Sequence, residues 1–113
     1  MTPPRTFEVS ITHGAERDLE DIHAYLAVHR GTDEADLLLD AFLAKIETLE
    51  CYPLRGSIPS ELDALGIRDF RQIILPPHRI IYRVIDSRVF IVLIADGRRD
   101  MQSLLERRLL GAR

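Results

Sequence analysis

Cysteine occurs once in the chain, at Cys51. A lone thiol excludes an internal disulfide and any metal site built from several thiolates, and it fits a reducing cytoplasm. Long apolar runs are missing as well. A membrane span needs roughly eighteen apolar residues, whereas the longest run here, Val89 to Ala95, suits a buried strand. The opening residues Met1-Thr2-Pro3-Pro4-Arg5 hold no apolar stretch of the kind a secretory signal carries. The expected location is therefore the cytoplasm, with no membrane partner. No repeat, low-complexity stretch or long linker divides the chain, so residues 1–113 are expected to form a single domain. The composition that remains, 46% hydrophobic and 29% charged over 113 residues, is that of a globular protein with one modest core.

Charge is unevenly spread. Residues 1–66 carry five basic and thirteen acidic side chains for a net of −8, and residues 67–113 carry ten arginines and five acidic residues for a net of +5. This asymmetry points to an anionic partner for the C-terminal half. The whole-chain net of −3 argues against an indiscriminate nucleic-acid coat, which calls for a basic domain.

Periodicity lays out the elements. Phe7, Val9 and Ile11 alternate with polar neighbours over residues 6–12, the pattern of a half-buried strand. Thr12 can cap the helix that follows, in which Ala15, Leu19, Ile22 and Leu26 recur at helical spacing. Gly31 stops it. A second helix from Asp33 places Ala35, Leu38, Leu39, Phe42, Ile46 and Leu49 on one stripe and ends before Pro53, so the two form an antiparallel hairpin. Residues 53–67 read as a loop with room for one short turn. Strands are expected at about 68–75, 79–86 and 88–95, then a helix from about Arg99 to Leu110 with Met101, Leu104, Leu105 and Leu109 as its stripe. The fold class is α+β, in the order β-α-α-β-β-β-α, with the helical hairpin on one face of a mostly antiparallel sheet.

A two-residue turn at Asp86-Ser87 pairs Ile85 with Arg88, Arg83 with Phe90 and Arg79 with Ile94. Alternation then gives one apolar face, with Ile80, Tyr82, Val84, Val89, Ile91, Leu93 and Ala95. The other face mixes Arg79, Arg83 and Arg88 with Ile81, Phe90, Val92 and Ile94. Guanidinium groups resist a dry core and the apolar residues resist full exposure, so this side is expected to stand open as a binding face. The plainer reading is that the C-terminal helix covers its apolar part.

Four motifs now stand in order. They are Ala15-x-x-Asp18-Leu19-x-x-Ile22-x-x-Tyr25, Leu49-x-x-x-Pro53-x-x-Gly56, Arg79-Ile80-Ile81-Tyr82-Arg83-Val84 and Gly97-Arg98-Arg99-Asp100. Together, over about residues 6–110, the chain resembles the RelE/ParE superfamily, toxins of type II toxin–antitoxin (plasmid stabilisation) systems. The resemblance implies a cognate antitoxin that wraps and neutralises the toxin, in a toxin–antitoxin hetero-oligomer or beside a toxin homodimer. It also implies one of two activities, the remaining reading being a non-toxic interaction module. RelE-like members resemble ribosome-dependent mRNA endonucleases, which need a base, an acid and cations on the phosphorane. ParE-like members inhibit DNA gyrase by binding. Arg79 matches the position where the nucleases keep a phosphate-contacting arginine, but Asp96-Gly97-Arg98-Arg99-Asp100 stands where they place a His or Tyr. That departure favours the ParE-like branch. Target or antitoxin contacts are then expected at Arg79, Arg83, Arg88, Phe90, Arg98 and Arg99.

For a nuclease, the candidates are His78 and Arg79, since an imidazole titrates near neutrality; the plainer reading of His78 is an exposed strand-end residue. Asp96 and Asp100 suit ion pairs with Arg98 and Arg99 better than a magnesium pair. His13, His23 and His29 lack metal-site spacing, so no metal or other cofactor is expected. Cys51 reads as a small hydrophobe, and Tyr82 and Tyr25 as packing residues.

Overall fold

The computed structural model describes residues 7–111. In chain order the elements are β1 (Glu8–Ile11), α1 (His13–Arg30), α2 (Thr32–Glu47) with a 3-10 turn at Thr48–Glu50, α3 (Ser60–Asp63), β2 (Phe70–Leu75), β3 (His78–Ile85), β4 (Arg88–Asp96) and α4 (Met101–Leu109). This is the expected α+β order, with α3 as the short turn of the 53–67 segment. The four strands form one sheet in the order β1-β4-β3-β2, antiparallel except for the parallel β1–β4 pair.

Local chemistry fixes the boundaries. The Thr12 hydroxyl accepts from the Ala15 amide at 3.4 Å and donates to the Ile91 carbonyl at 2.8 Å, so one side chain starts α1 and ties it to β4. Gly31 sits at φ 100°, a conformation glycine adopts without strain; its amide closes α1 on the Ala27 carbonyl, and α2 begins at the next residue. The Asp86-Ser87 turn pairs Ile85 with Arg88 and Arg83 with Phe90, as the sequence predicts.

Beyond that point the register departs from simple alternation. Tyr82 pairs with Ile91 and Ile81 with Leu93, so Val92 is an extra residue, and Arg79 faces Ala95 instead of Ile94. The bulge reverses the faces of the second half of β4. Ile94 joins Ile80, Tyr82, Val89 and Ile91 against the helical hairpin, in a core completed by Ala15, Leu19, Phe42, Ile46 and Leu49. Leu93 and Ala95 turn to the opposite side, where they bury with Ile81 under Met101, Leu104 and Leu105 of α4 and Leu62 of α3. The sheet therefore has two cores, one on each side.

The second core corrects the expectation of an open face. Ile81, Leu93 and Ala95 are at most 2% exposed beneath α3 and α4. The end near the β3–β4 turn, with Arg83, Phe90 and Val92, stays uncovered as a cleft of about 490 Å³. A bidentate pair fastens α4 across the sheet edge: Arg108 donates to Asp18 at 3.0 and 3.1 Å and to the Val92 carbonyl at 3.2 Å. Asp18 also accepts from the Ile94 amide at 3.0 Å. β1 stops at Ile11, opposite Ile91, so these side chains satisfy β4 backbone groups that have no strand beside them.

Candidate functional site

The expected site residues fall into three places. Arg79 opens β3 on the α3/α4 side. Its guanidinium forms a two-pronged bond with Glu61 of α3, both donor–acceptor distances 2.8 Å, while its Nε donates to Gln72 Oε1 at 2.7 Å. The Arg79 and Glu61 side chains are only 13% and 22% exposed. The hydrogen bond from Arg79 holds the Glu61 carboxyl below its ordinary range, against the opposing effect of burial. Gly97 leaves room for this arrangement, since a Cβ there would lie 2.9 Å from Arg79 Cδ and 3.2 Å from the Pro77 carbonyl oxygen.

His78, one residue earlier, faces the opposite way because successive strand residues alternate. Its ring packs edge-on to Phe42 at 5.1 Å, and its Nδ1 is buried without a hydrogen-bond partner among the described residues. Burial pushes its pKa down, with Asp96 opposing and Arg98 assisting. The half-buried imidazole is thus unlike the exposed strand-end residue of the plainer sequence reading. His78 and Arg79 do not converge on a common point.

His78 lines a cleft of about 520 Å³ between α1 and the end of the β3–β4 pair, with Ile22, Tyr25, Leu26 and Ile94 as apolar walls and Asp18, Asp21, Asp96, Arg98 and Arg99 around them. The Arg98 side chain donates to Asp96 at 2.6 and 2.9 Å, and its backbone amide adds another bond to Asp96 at 2.9 Å. Those bonds hold the Asp96 carboxyl far below the usual carboxylate range. Asp100 instead caps α4, accepting from the Ser103 amide and hydroxyl at 3.2 and 2.8 Å. It therefore does not pair with Arg99, and the Arg99 guanidinium has no hydrogen-bond partner among the described residues. Tyr25 is 66% exposed and stacks on His29, so it is a surface residue at this cleft and not a core one.

The third place is the uncovered end of the second face. There the Arg83 guanidinium lies 5.6 Å from the Phe70 ring centre and that of Arg88 lies 5.4 Å from the Phe90 ring centre. Arg83, Arg88 and Phe90 are thus brought together, whereas Arg79 is clamped at the covered end and Arg98 and Arg99 belong to the cleft on the other face. Among the described residues, no cluster of three or more His, Cys, Asp or Glu side chains could hold a metal ion, and no helix is long and apolar enough to cross a membrane.

With the geometry established, likeness to known proteins decides the family. The family model for the ParE toxin of the type II toxin-antitoxin system parDE matches residues 9–101. The chain belongs to the ParE toxin family. In fold it is similar to a solved structure titled "Chromosomal ParDE TA system from P. aeruginosa", at a TM-score of 0.69 and 18% identity, over 82% of this chain and 98% of that one. No curated protein sequence matches the chain. Seen as a ParE toxin, the molecule uses most of its motif residues to hold the fold. The Tyr82 hydroxyl accepts from the buried Gly56 amide at 3.0 Å, linking two of the motifs, while Asp18 and Gly97 serve α4 and Arg79. Glu61, Gln72 and Arg108 carry no motif at all. Only their long-range partners give them meaning, which is why sequence reading missed them.

Proposed function

We propose that this ParE-family chain is a toxin that acts by gripping DNA gyrase and is neutralised in the cytoplasm by a cognate antitoxin, in a toxin–antitoxin hetero-oligomer. One observation carries the choice of binding over cleavage. The guanidinium that a ribonuclease would aim at the scissile phosphate is already held by Glu61 at 2.8 Å, and the nearest imidazole, His78, faces the other side of the sheet. Cleavage through an activated 2′-hydroxyl needs a base, an acid and a cation within hydrogen-bond reach of one phosphate. The side chains that could fill those roles here are dispersed.

The remaining charged surface suits protein partners. Arg98 and Arg99 border the apolar cleft beside α1, and exposed ion pairs at such a rim are screened by salt. Antitoxin binding through this rim should weaken as ionic strength rises. A complex indifferent to salt would place its affinity in the apolar walls.

Purified toxin added to a gyrase supercoiling reaction, in parallel with a translating-ribosome reaction, tests the proposal. Inhibition of supercoiling with intact mRNA is expected. Full supercoiling at excess toxin, together with ribosome-dependent mRNA cleavage that His78→Ala abolishes, would establish the endonuclease alternative, and full supercoiling with intact mRNA would leave an interaction module without either activity.

A further inference from the structure

The cleft beside α1 sorts its groups by depth. Ile94 is buried, Ile22, Leu26, Leu38 and His78 are half-buried, and Asp21, Tyr25 and Arg99 are exposed at the mouth. Its volume of about 520 Å³ falls within the ~300–1,000 Å³ of small-molecule sites, which are likewise apolar inside with a few placed polar groups. Most of the charge around it is already engaged. Asp18 accepts from Arg108 at 3.0 and 3.1 Å, and Asp96 accepts from Arg98 at 2.6 Å. Two lining groups of opposite sign are left, Asp21 on α1 and Arg99 after β4, and neither has a hydrogen-bond or ion-pair partner among the described residues. The cleft thus offers an apolar interior, one carboxylate and one guanidinium.

We infer that this cleft binds a free α-amino acid with a large apolar side chain. That side chain would cover Ile22, Leu26, Leu38 and Ile94, while the ammonium and carboxylate, carried on one carbon, would stay at the mouth with Asp21 and Arg99. Tyr25 follows Asp21 by four residues on α1, so its ring neighbours the same ammonium. Charge balance selects the zwitterion. An anion such as a nucleotide would meet the carboxylates of Asp18, Asp21 and Asp96, and a simple amine would meet the guanidinium groups of Arg98 and Arg99. The depth order selects a ligand whose two charges lie together at one end, as in an amino acid, with the apolar part pointing inward. This inference goes beyond the proposed gyrase and antitoxin contacts and does not rest on them.

Titration of L-leucine and L-phenylalanine into isotope-labelled toxin, followed by NMR, tests this directly. Methyl shifts are expected at Ile22, Leu26, Leu38 and Ile94. N-acetyl-leucine lacks the ammonium and leucinamide lacks the carboxylate, so each should bind about 3–10-fold more weakly than leucine. Asp21→Asn should weaken leucine by a similar factor yet leave N-acetyl-leucine unchanged, and Arg99→Gln should weaken leucine yet leave leucinamide unchanged. Both residues are exposed, and circular dichroism confirms that each variant is folded. No shift at millimolar leucine or phenylalanine, equal binding of the blocked derivatives, or variants that weaken every ligand alike would each overturn the inference. Tighter binding of adenosine monophosphate or of trileucine at the same methyl groups would also overturn it, by making the cleft a nucleotide site or a peptide groove. Neither gyrase nor an antitoxin enters the titration, so its failure is distinguishable from failure of the proposed function.

Discussion

Replacing Glu61 with glutamine leaves the shape of α3 almost unchanged but removes the charge that faces Arg79. Glutamine keeps one oxygen for one guanidinium nitrogen and presents an amide N–H₂ to the other, so one of two 2.8 Å bonds becomes a donor–donor conflict. Hydrogen bonds to charged groups contribute about 1.5–3 kcal/mol each. The pair is mostly but not wholly shielded, at 13% and 22% exposure, so the expected loss is about 1–3 kcal/mol. For a domain of this size that corresponds to a drop in Tm of about 5–15 °C. Thermal melts of wild type, Glu61→Gln, Arg79→Gln and the double variant give the coupling between the two side chains, expected at about 1 kcal/mol or more. The pH dependence adds a second check. The folded Glu61 carboxyl lies below its ordinary value of 4.5, so the unfolded chain binds more protons as pH falls. The clamp's contribution is complete above about pH 4.5 and fades as pH drops through the folded value, an acid-side loss that Glu61→Gln should lack. A coupling near zero, or identical acid limbs for wild type and Glu61→Gln, would refute the clamp.

Tyr82→Phe removes the acceptor from the buried Gly56 amide and should cost about 1–3 kcal/mol in urea denaturation; an unchanged midpoint would contradict that role. Gly97→Ala should destabilise by about 1–3 kcal/mol, because its Cβ would press on Arg79 Cδ at 2.9 Å. That cost should shrink in an Arg79→Ala background, and equal costs in both would place the conflict with the Pro77 carbonyl instead. The His78 imidazole should titrate by NMR below 6.5, since burial disfavours its charged form. The corresponding stability is present above the ordinary value and declines as pH falls below it; a midpoint at or above 6.5 would contradict its burial.

The elements were legible because each is specified by nearby residues. Thr12 and Gly31 mark the limits of α1, and Asp86-Ser87 marks the turn between β3 and β4, all through local backbone chemistry. The face of each residue was legible only up to the bulge. Val89 to Ala95 is apolar throughout, so alternation carries no information there about which side is buried, and no glycine or proline flags the extra residue at Val92. That one insertion exchanged Ile94 for Leu93 and Ala95 beneath α4. The clamp on Arg79 was hidden for a different reason. Glu61 lies 18 residues before Arg79 in the chain, and Asp18 lies 90 residues before Arg108, so neither pair leaves a periodic trace. Of the arginines clustered in the sequence, Arg79 thus became a structural clamp, Arg108 a helix fastener, Arg83 and Arg88 surface groups set over aromatic rings, and Arg98 and Arg99 part of the rim of the α1 cleft.

The activity proposed for this toxin is to grip a partner without cutting RNA. Induced expression of wild type and His78→Ala without the antitoxin measures it most directly. Equal growth arrest by both, with cellular mRNA intact, is the predicted result. Arrest by wild type that His78→Ala abolishes, accompanied by mRNA cleavage in wild-type cells alone, would contradict it.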